Sequence, residues 1–136
     1  GKWLILSFNE NFKSNIQIGP KIFNGKKTKQ MLKGKEYKEI QMTDLDLADK
    51  LIIYADHEEF VFNILKPSII DIIKRLYKET NGKILVFFLN NQIHIGIGDK
   101  KNFFEPSIYS KFNLEKEKNK ISNQINIIMK LIDCWI

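Results

Sequence analysis

Two periodicities divide the chain. Alternating or continuous short apolar runs mark strands, and apolar residues recurring every third or fourth position mark helices. "KWLILSF" and "NIQIGP" are β-rich and bounded by Asn, Gly and Pro, which predicts two strands joined through "NENFKS". Near position 40, "EYKEIQM" alternates again and is expected to return to the sheet. "TDLDLADKL" opens with Thr43 and carries Asp46 three residues later, a capping-box-like start for a short helix, and "LIIYA" follows as a buried strand. Asp56 and Glu59 repeat that spacing ahead of "HEEFVFNIL", a second short helix that Lys66-Pro67 interrupts.

Pro67 suits the first turn of a new helix, where its missing N–H has no intrahelical acceptor to lose. Ile69, Ile72, Ile73, Leu76 and Tyr77 then recur at helical spacing, and Asn81-Gly82 supplies a left-handed end. "KILVFFL" and "QIHIGIG" are separated by Asn90-Asn91, which fits a two-residue primed turn. Such a turn sets Phe88 opposite Ile93, Val86 opposite Ile95 and Ile84 opposite Ile97, one apolar face above a core. It sets His94, Gly96 and Gly98 on the other face, with Phe87 opposite His94 and Leu85 opposite Gly96. The bare backbone at the glycines is expected to receive aromatic rings or a helix. In the last segment Asn113 is a good N-cap, and Ile121, Ile125, Ile128, Ile132 and Trp135 form a seam at spacings of 4, 3, 4 and 3.

These elements predict an α+β fold: a mostly antiparallel sheet with a hairpin over about 83–98, a middle helix over about 67–80 and a long C-terminal helix over about 114–135 packed on the sheet. A length of 136 residues, 43% hydrophobic, fits a single soluble domain over 1–136 with one core. The lone cysteine, Cys134, reads as a small buried hydrophobe and permits no internal disulfide. ILVFFL is the longest apolar run, far short of the roughly 20 residues of a membrane-spanning helix.

The net charge of +6 changes the picture once it is localised. Residues 21–38 hold seven lysines against one glutamate, so this segment alone accounts for the whole excess. It reads as a basic loop or long hairpin tip beginning near Asn24-Gly25. The simple reading of it is a solvated loop. The functional reading is contact with an anionic surface through Lys26, Lys27, Lys29, Lys33 and Lys35. Lysine without arginine, and with little aromatic interleaving, favours diffuse attraction to lipid over readout of nucleic acid.

Catalytic motifs fail one by one. His57-Glu58 starts an H-E-x-x-H pattern, but Val61 stands where the second ligand belongs, and two histidines with one cysteine do not make a usual structural zinc site. "PKIFNGKKTK" puts Pro20 where a phosphate loop needs glycine and Lys27 where it needs a hydroxyl. After Gly96-Ile97-Gly98, Lys101 stands in place of a third glycine. No serine sits in a G-x-S-x-G turn, and the acids at Asp44, Asp46 and Asp49 suit a helix start. No cofactor, no metal and no enzyme activity is expected.

Taken in order, "SFNENF", "IIYADHEEFVFNILKPSIIDIIKRL", "ILVFFLNNQIHIGIG" and "FFEPSI" resemble the bacterial domain-of-unknown-function family numbered 3137, from Trp3 to Trp135. The family's opening pattern is D-F-N-K-x-F, from which Ser7 and Glu10 depart; Phe62-Asn63 stand where it has Arg-Tyr. The family has no established activity. The resemblance implies the C-terminal part of a longer protein whose upstream hydrophobic segments hold it at the cytoplasmic face of the membrane. A non-catalytic binding or regulatory domain is therefore expected, with anionic lipid as the first partner. The alternative is a protein–protein interaction module using an apolar sheet or helix face, and the third reading is an enzyme with an unrecognised site.

Overall fold

Among the described residues most strand-like runs assemble into one sheet, and the helices pack on one side of it. A computed structural model describes residues 2–98 apart from positions 24, 35 and 43. In chain order they form β1 (Lys2–Ser7), β2 (Ile16–Pro20), β3 (Ile22–Phe23), β4 (Lys26–Lys27), β5 (Lys38–Ile40), α1 (Leu45–Ala48), β6 (Leu51–Ala55), α2 (Glu58–Ile64), α3 (Pro67–Glu79), β7 (Ile84–Leu89) and β8 (Gln92–Ile97). The expected helix over 114–135, the FFEP element and Lys35 lie outside the described residues.

Six strands form a sheet in the order β1-β8-β7-β2-β6-β5, with every pairing antiparallel; β3 and β4 form a separate two-stranded ribbon. The fold is α+β. β1 and β2, consecutive in sequence, are not neighbours, because the β7–β8 hairpin lies between them. That hairpin has the expected register, Phe88 on Ile93, Val86 on Ile95 and Ile84 on Ile97. Asn90 opens its turn with φ of +54°, a conformation asparagine tolerates better than most residues.

The face that carries these residues is the core face. Ile16, Ile18, Ile53, Phe88, Ile93 and Ile95 sit on it, all at most 2% exposed, and join Val61 and Ile64 of α2 and Ile69, Ile72, Ile73 and Leu76 of α3 in one cluster. Burying each such side chain contributes about 1.5–3 kcal/mol. Lys66 is extended before Pro67, as a residue preceding proline prefers, and this separates α2 from α3. α3 ends as expected, with Asn81 at φ +53°, Gly82 at φ +80° and the Gly82 N–H donating to the Tyr77 carbonyl at 2.8 Å.

Two helix starts differ from the sequence reading. For α1 the N-cap is Asp44, whose Oδ1 accepts from the Asp46 N–H at 2.9 Å. Its Oδ2 meets Lys74 Nζ of α3 at 2.6 Å, so one carboxylate both caps α1 and ties it to α3. For α2 the N-cap position is His57, with no side-chain cap bond. Asp56 is drawn instead to the β1–β2 loop, whose amide at Asn15 it accepts at 2.8 Å.

Candidate functional site

The basic segment leaves the sheet at the end of β2 and returns across the face opposite the helices. Its departure is pinned: the Lys21 N–H donates to the Lys50 carbonyl at 2.8 Å, and the Thr28 N–H donates back to the Lys21 carbonyl at 3.1 Å. Between those anchors β3 and β4 pair Ile22 with Lys27 and Phe23 with Lys26. Gly25, at φ +75°, makes the tight turn that places this hairpin where the sequence expects it. All four paired side chains are exposed.

Beyond the hairpin, residues 28–31 form a strap over the second face. That face carries Gln17 of β2 between Phe87 of β7 and Tyr54 of β6. Gln17 is 0% exposed, and its amide Nε2 donates to the Lys29 carbonyl at 3.0 Å while its Oε1 accepts from the Met31 N–H at 2.6 Å. The side chain thus takes the two backbone groups flanking Gln30, as an adjacent strand would. Tyr54 adds a third tie, its hydroxyl donating to the Thr28 carbonyl at 3.1 Å. Close approach needs Gly19: a Cβ there would lie 2.8 Å from Leu85 Cδ1 and 3.7 Å from Thr28 Cγ2. Thr28 is buried by the crossing, and its Oγ1 has no hydrogen-bond partner among the described residues.

The strap sorts the lysines. Lys21 Nζ donates to the Ala48 carbonyl at 3.3 Å, and Lys38 lies 3.9 Å from Glu58. Lys27 is hydrogen-bonded to Glu39 of β5, and that bond holds its ammonium above the usual lysine range. Lys26, Lys29 and Lys33 are exposed, and no carboxylate among the described residues lies within ion-pair distance of them. Of the five lysines expected to bind anions, Lys26, Lys29 and Lys33 are left to solvent, Lys27 is engaged within the fold and Lys35 is outside the described residues.

Sequence reading missed a second polar cluster at one end of the sheet. Oδ1 of Asp56, a side chain 5% exposed, receives the Ser14 hydroxyl at 3.0 Å and the Asn15 N–H at 2.8 Å, and His57 Nδ1 lies 3.0 Å away. Burial acts to raise the Asp56 pKa, but the hydrogen bonds from His57, Asn15 and Ser14 outweigh it and hold the carboxyl below its ordinary range. Nucleophilic catalysis by serine needs the hydroxyl on the imidazole. Here the carboxylate stands between Ser14 and His57, so this order suits a clamp. The same region ties in the hairpin turn: the Phe8 and Phe12 N–H groups donate to the Asn91 and Asn90 carbonyls, and the Asn90 N–H donates to Asn15 Oδ1. The segments quoted as SFNENF, IIYADH and FFLNNQ are brought together here by the fold, and no local spacing in the sequence signals it.

His94, the other histidine, is half-buried on the second face, with Nε2 3.0 Å from Gln92 Oε1. Burial lowers its pKa, which favours the neutral ring. Gly96 beside it is buried, and the Trp3 ring from β1 reaches across to stack on Phe87 at 6.2 Å and 15°. In the register Trp3 stands opposite Gly96 on the neighbouring strand, and the expected helix seam lies outside the described residues. Among the described residues no group of three or more His, Cys, Asp or Glu side chains could hold a metal ion, and no helix is long and apolar enough to cross a membrane.

No curated protein and no solved structure matches the chain. The family of proteins of unknown function DUF3137 matches it over residues 1–134, and the chain belongs to that family.

Proposed function

We propose that this is a non-catalytic binding domain that holds to an anionic lipid surface through Lys26, Lys29 and Lys33, at the cytoplasmic face of a bacterial membrane. The observation that carries the reading is the sorting of the lysines. A segment that holds the chain's whole charge excess is tied down at 21, 28, 29 and 31, so Lys26 and Lys29 are presented from a fixed backbone, and Lys33 follows two residues after the last tie. Prior ordering lowers the entropy lost on docking. Each lysine near an anionic membrane adds about 1 kcal/mol, and three together give roughly a hundredfold in affinity.

Co-sedimentation with phosphatidylcholine vesicles, with and without phosphatidylserine, tests this. Binding is expected only with phosphatidylserine, weakening as salt rises from about 0.1 to about 1 M and the screening length falls from about 10 to about 3 Å. Joint replacement of Lys26, Lys29 and Lys33 by Gln removes it, whereas Lys27→Gln has a smaller effect because Glu39 already engages that charge. Equal binding to both kinds of vesicle would overturn the reading.

A further inference from the structure

Lysines alone do not account for the composition of the hairpin. Among the described residues, the large apolar side chains counted as exposed are Ile22 at 58%, Met31 at 49%, Phe62 at 40% and Phe23 at 37%. Three of these four belong to the segment that carries the lysines, and two of them, Ile22 and Phe23, form an entire strand of the hairpin. Each is paired across the ribbon with a lysine, so an apolar edge runs beside a cationic one. Isolated exposed apolar residues are normal on protein surfaces; a projecting ribbon that concentrates them beside lysine is a different arrangement.

The chemistry of the neighbours selects the occupant. Surfaces that bind proteins are enriched in arginine and tyrosine and depleted in lysine. Amphipathic helices that lie in the surface of an anionic bilayer combine lysine or arginine on one face with tryptophan, phenylalanine or leucine on the other, and this ribbon sets lysine beside isoleucine and phenylalanine. Lysine suits that setting because its alkyl stem lies along apolar surface while the ammonium reaches the phosphate layer. Dimensions agree as well. From its base at Lys21 and Thr28 the ribbon's paired strand runs two residues, Ile22–Phe23, roughly 7 Å at strand rise, within the roughly 5–10 Å to which interfacial elements penetrate.

We propose that residues 22–27 are a membrane finger: Ile22 and Phe23 enter the headgroup–acyl boundary of an anionic bilayer while Lys26 and Lys29 contact lipid phosphates. This rests on the lipid reading above and adds penetration to it. The strap supplies the rigidity, since the hydrogen bonds of Gln17 and Tyr54 fix the chain immediately after the finger.

The test separates penetration from attraction. In a Cys134→Ser background, Ile22→Cys carries a polarity-sensitive fluorophore, and Asp71→Cys on the exposed side of α3 carries it as the control. On phosphatidylcholine–phosphatidylserine vesicles the label at position 22 is expected to shift to the blue and lose quenching by aqueous iodide, with no change at position 71. Unlabelled Ile22→Ser is expected to lower vesicle affinity about fivefold, the order set by withdrawing the exposed half of one isoleucine from water, while Ile22→Leu preserves it. Circular dichroism confirms that these surface variants fold. If the protein binds through its lysines but the label at 22 stays open to iodide, penetration is overturned and surface attachment stands. If the wild-type protein does not bind the vesicles, both proposals fall.

Discussion

Along β6, Ile53 lies between Ile18 and Ile40 on the side of the helices, while the next residue, Tyr54, lies between Gln17 and Glu39 on the other side. The two faces of the same strands are thus closed differently. The helical face is closed by contiguous apolar area, which is insensitive to the loss of any one contact geometry. Over β2, the other face is closed by a strap that depends on three directional hydrogen bonds and tolerates one orphaned hydroxyl. A segment fixed by a few bonds opens locally at much lower free energy than a packed core. Rigid presentation and local release are therefore compatible in one small domain.

The comparison breaks most severely at Phe88, 0% exposed and edge-on to Phe12 at 5.2 Å. Phe88→Ala is expected to cost about 3–5 kcal/mol of global stability, read as a lower urea midpoint for all probes together. Gln17→Leu strikes the other face. It leaves the Lys29 carbonyl and the Met31 N–H unmatched, and about 2 kcal/mol of local stability is lost. Amide exchange should accelerate at Thr28 and Met31 and stay slow in β7; acceleration throughout would show that the strap and the core are one cooperative unit.

A smaller effect is expected at Asp56. Because its folded pKa is depressed, its contribution is fully present above the unfolded value of about 4 and is lost as pH falls through the folded value. Asp56→Asn should lower stability by about 1–2 kcal/mol at neutral pH and flatten the acid limb of the stability profile, measured by urea titration from pH 7 to about pH 2. The smallest change has the opposite sign. Thr28→Val keeps the shape and removes the unmatched Oγ1, so stability should rise by about 1 kcal/mol; a fall would mean that the hydroxyl finds a partner in solution.

Much of the helical face was legible, for local reasons. The repeat from Ile69 to Leu76, Pro67 at the start of α3, Asn81-Gly82 at its end and Asn90-Asn91 in the hairpin each encode their element within a few residues. What was not legible is what covers what. Gln17 sits at a polar position of an alternating strand, which ordinarily signals water, and nothing nearby reveals that a segment twelve residues on will bury it. Asp56 and Glu59 have the spacing of a cap, yet the carboxylate found an unsatisfied amide forty-one residues upstream in the chain. The charge excess of residues 21–38 was visible at once, but its division into engaged and solvent-facing lysines depends on Glu39 and Ala48, which reach it through the fold.

The position of the β7–β8 hairpin between β1 and β2 also sets an order of events. β2, β6 and β5 lie within residues 16–55 and pair with one another, so half of the sheet can form as soon as that stretch has left the ribosome. β1 has to wait, because its described partner begins with Ile97 opposite Lys2, at the far end of the described chain. Closing so long a loop is slow, and during synthesis the apolar run "WLIL" stays without its strand partner for most of the domain's length. Among the described strands, the first to be made is the last to find its partner.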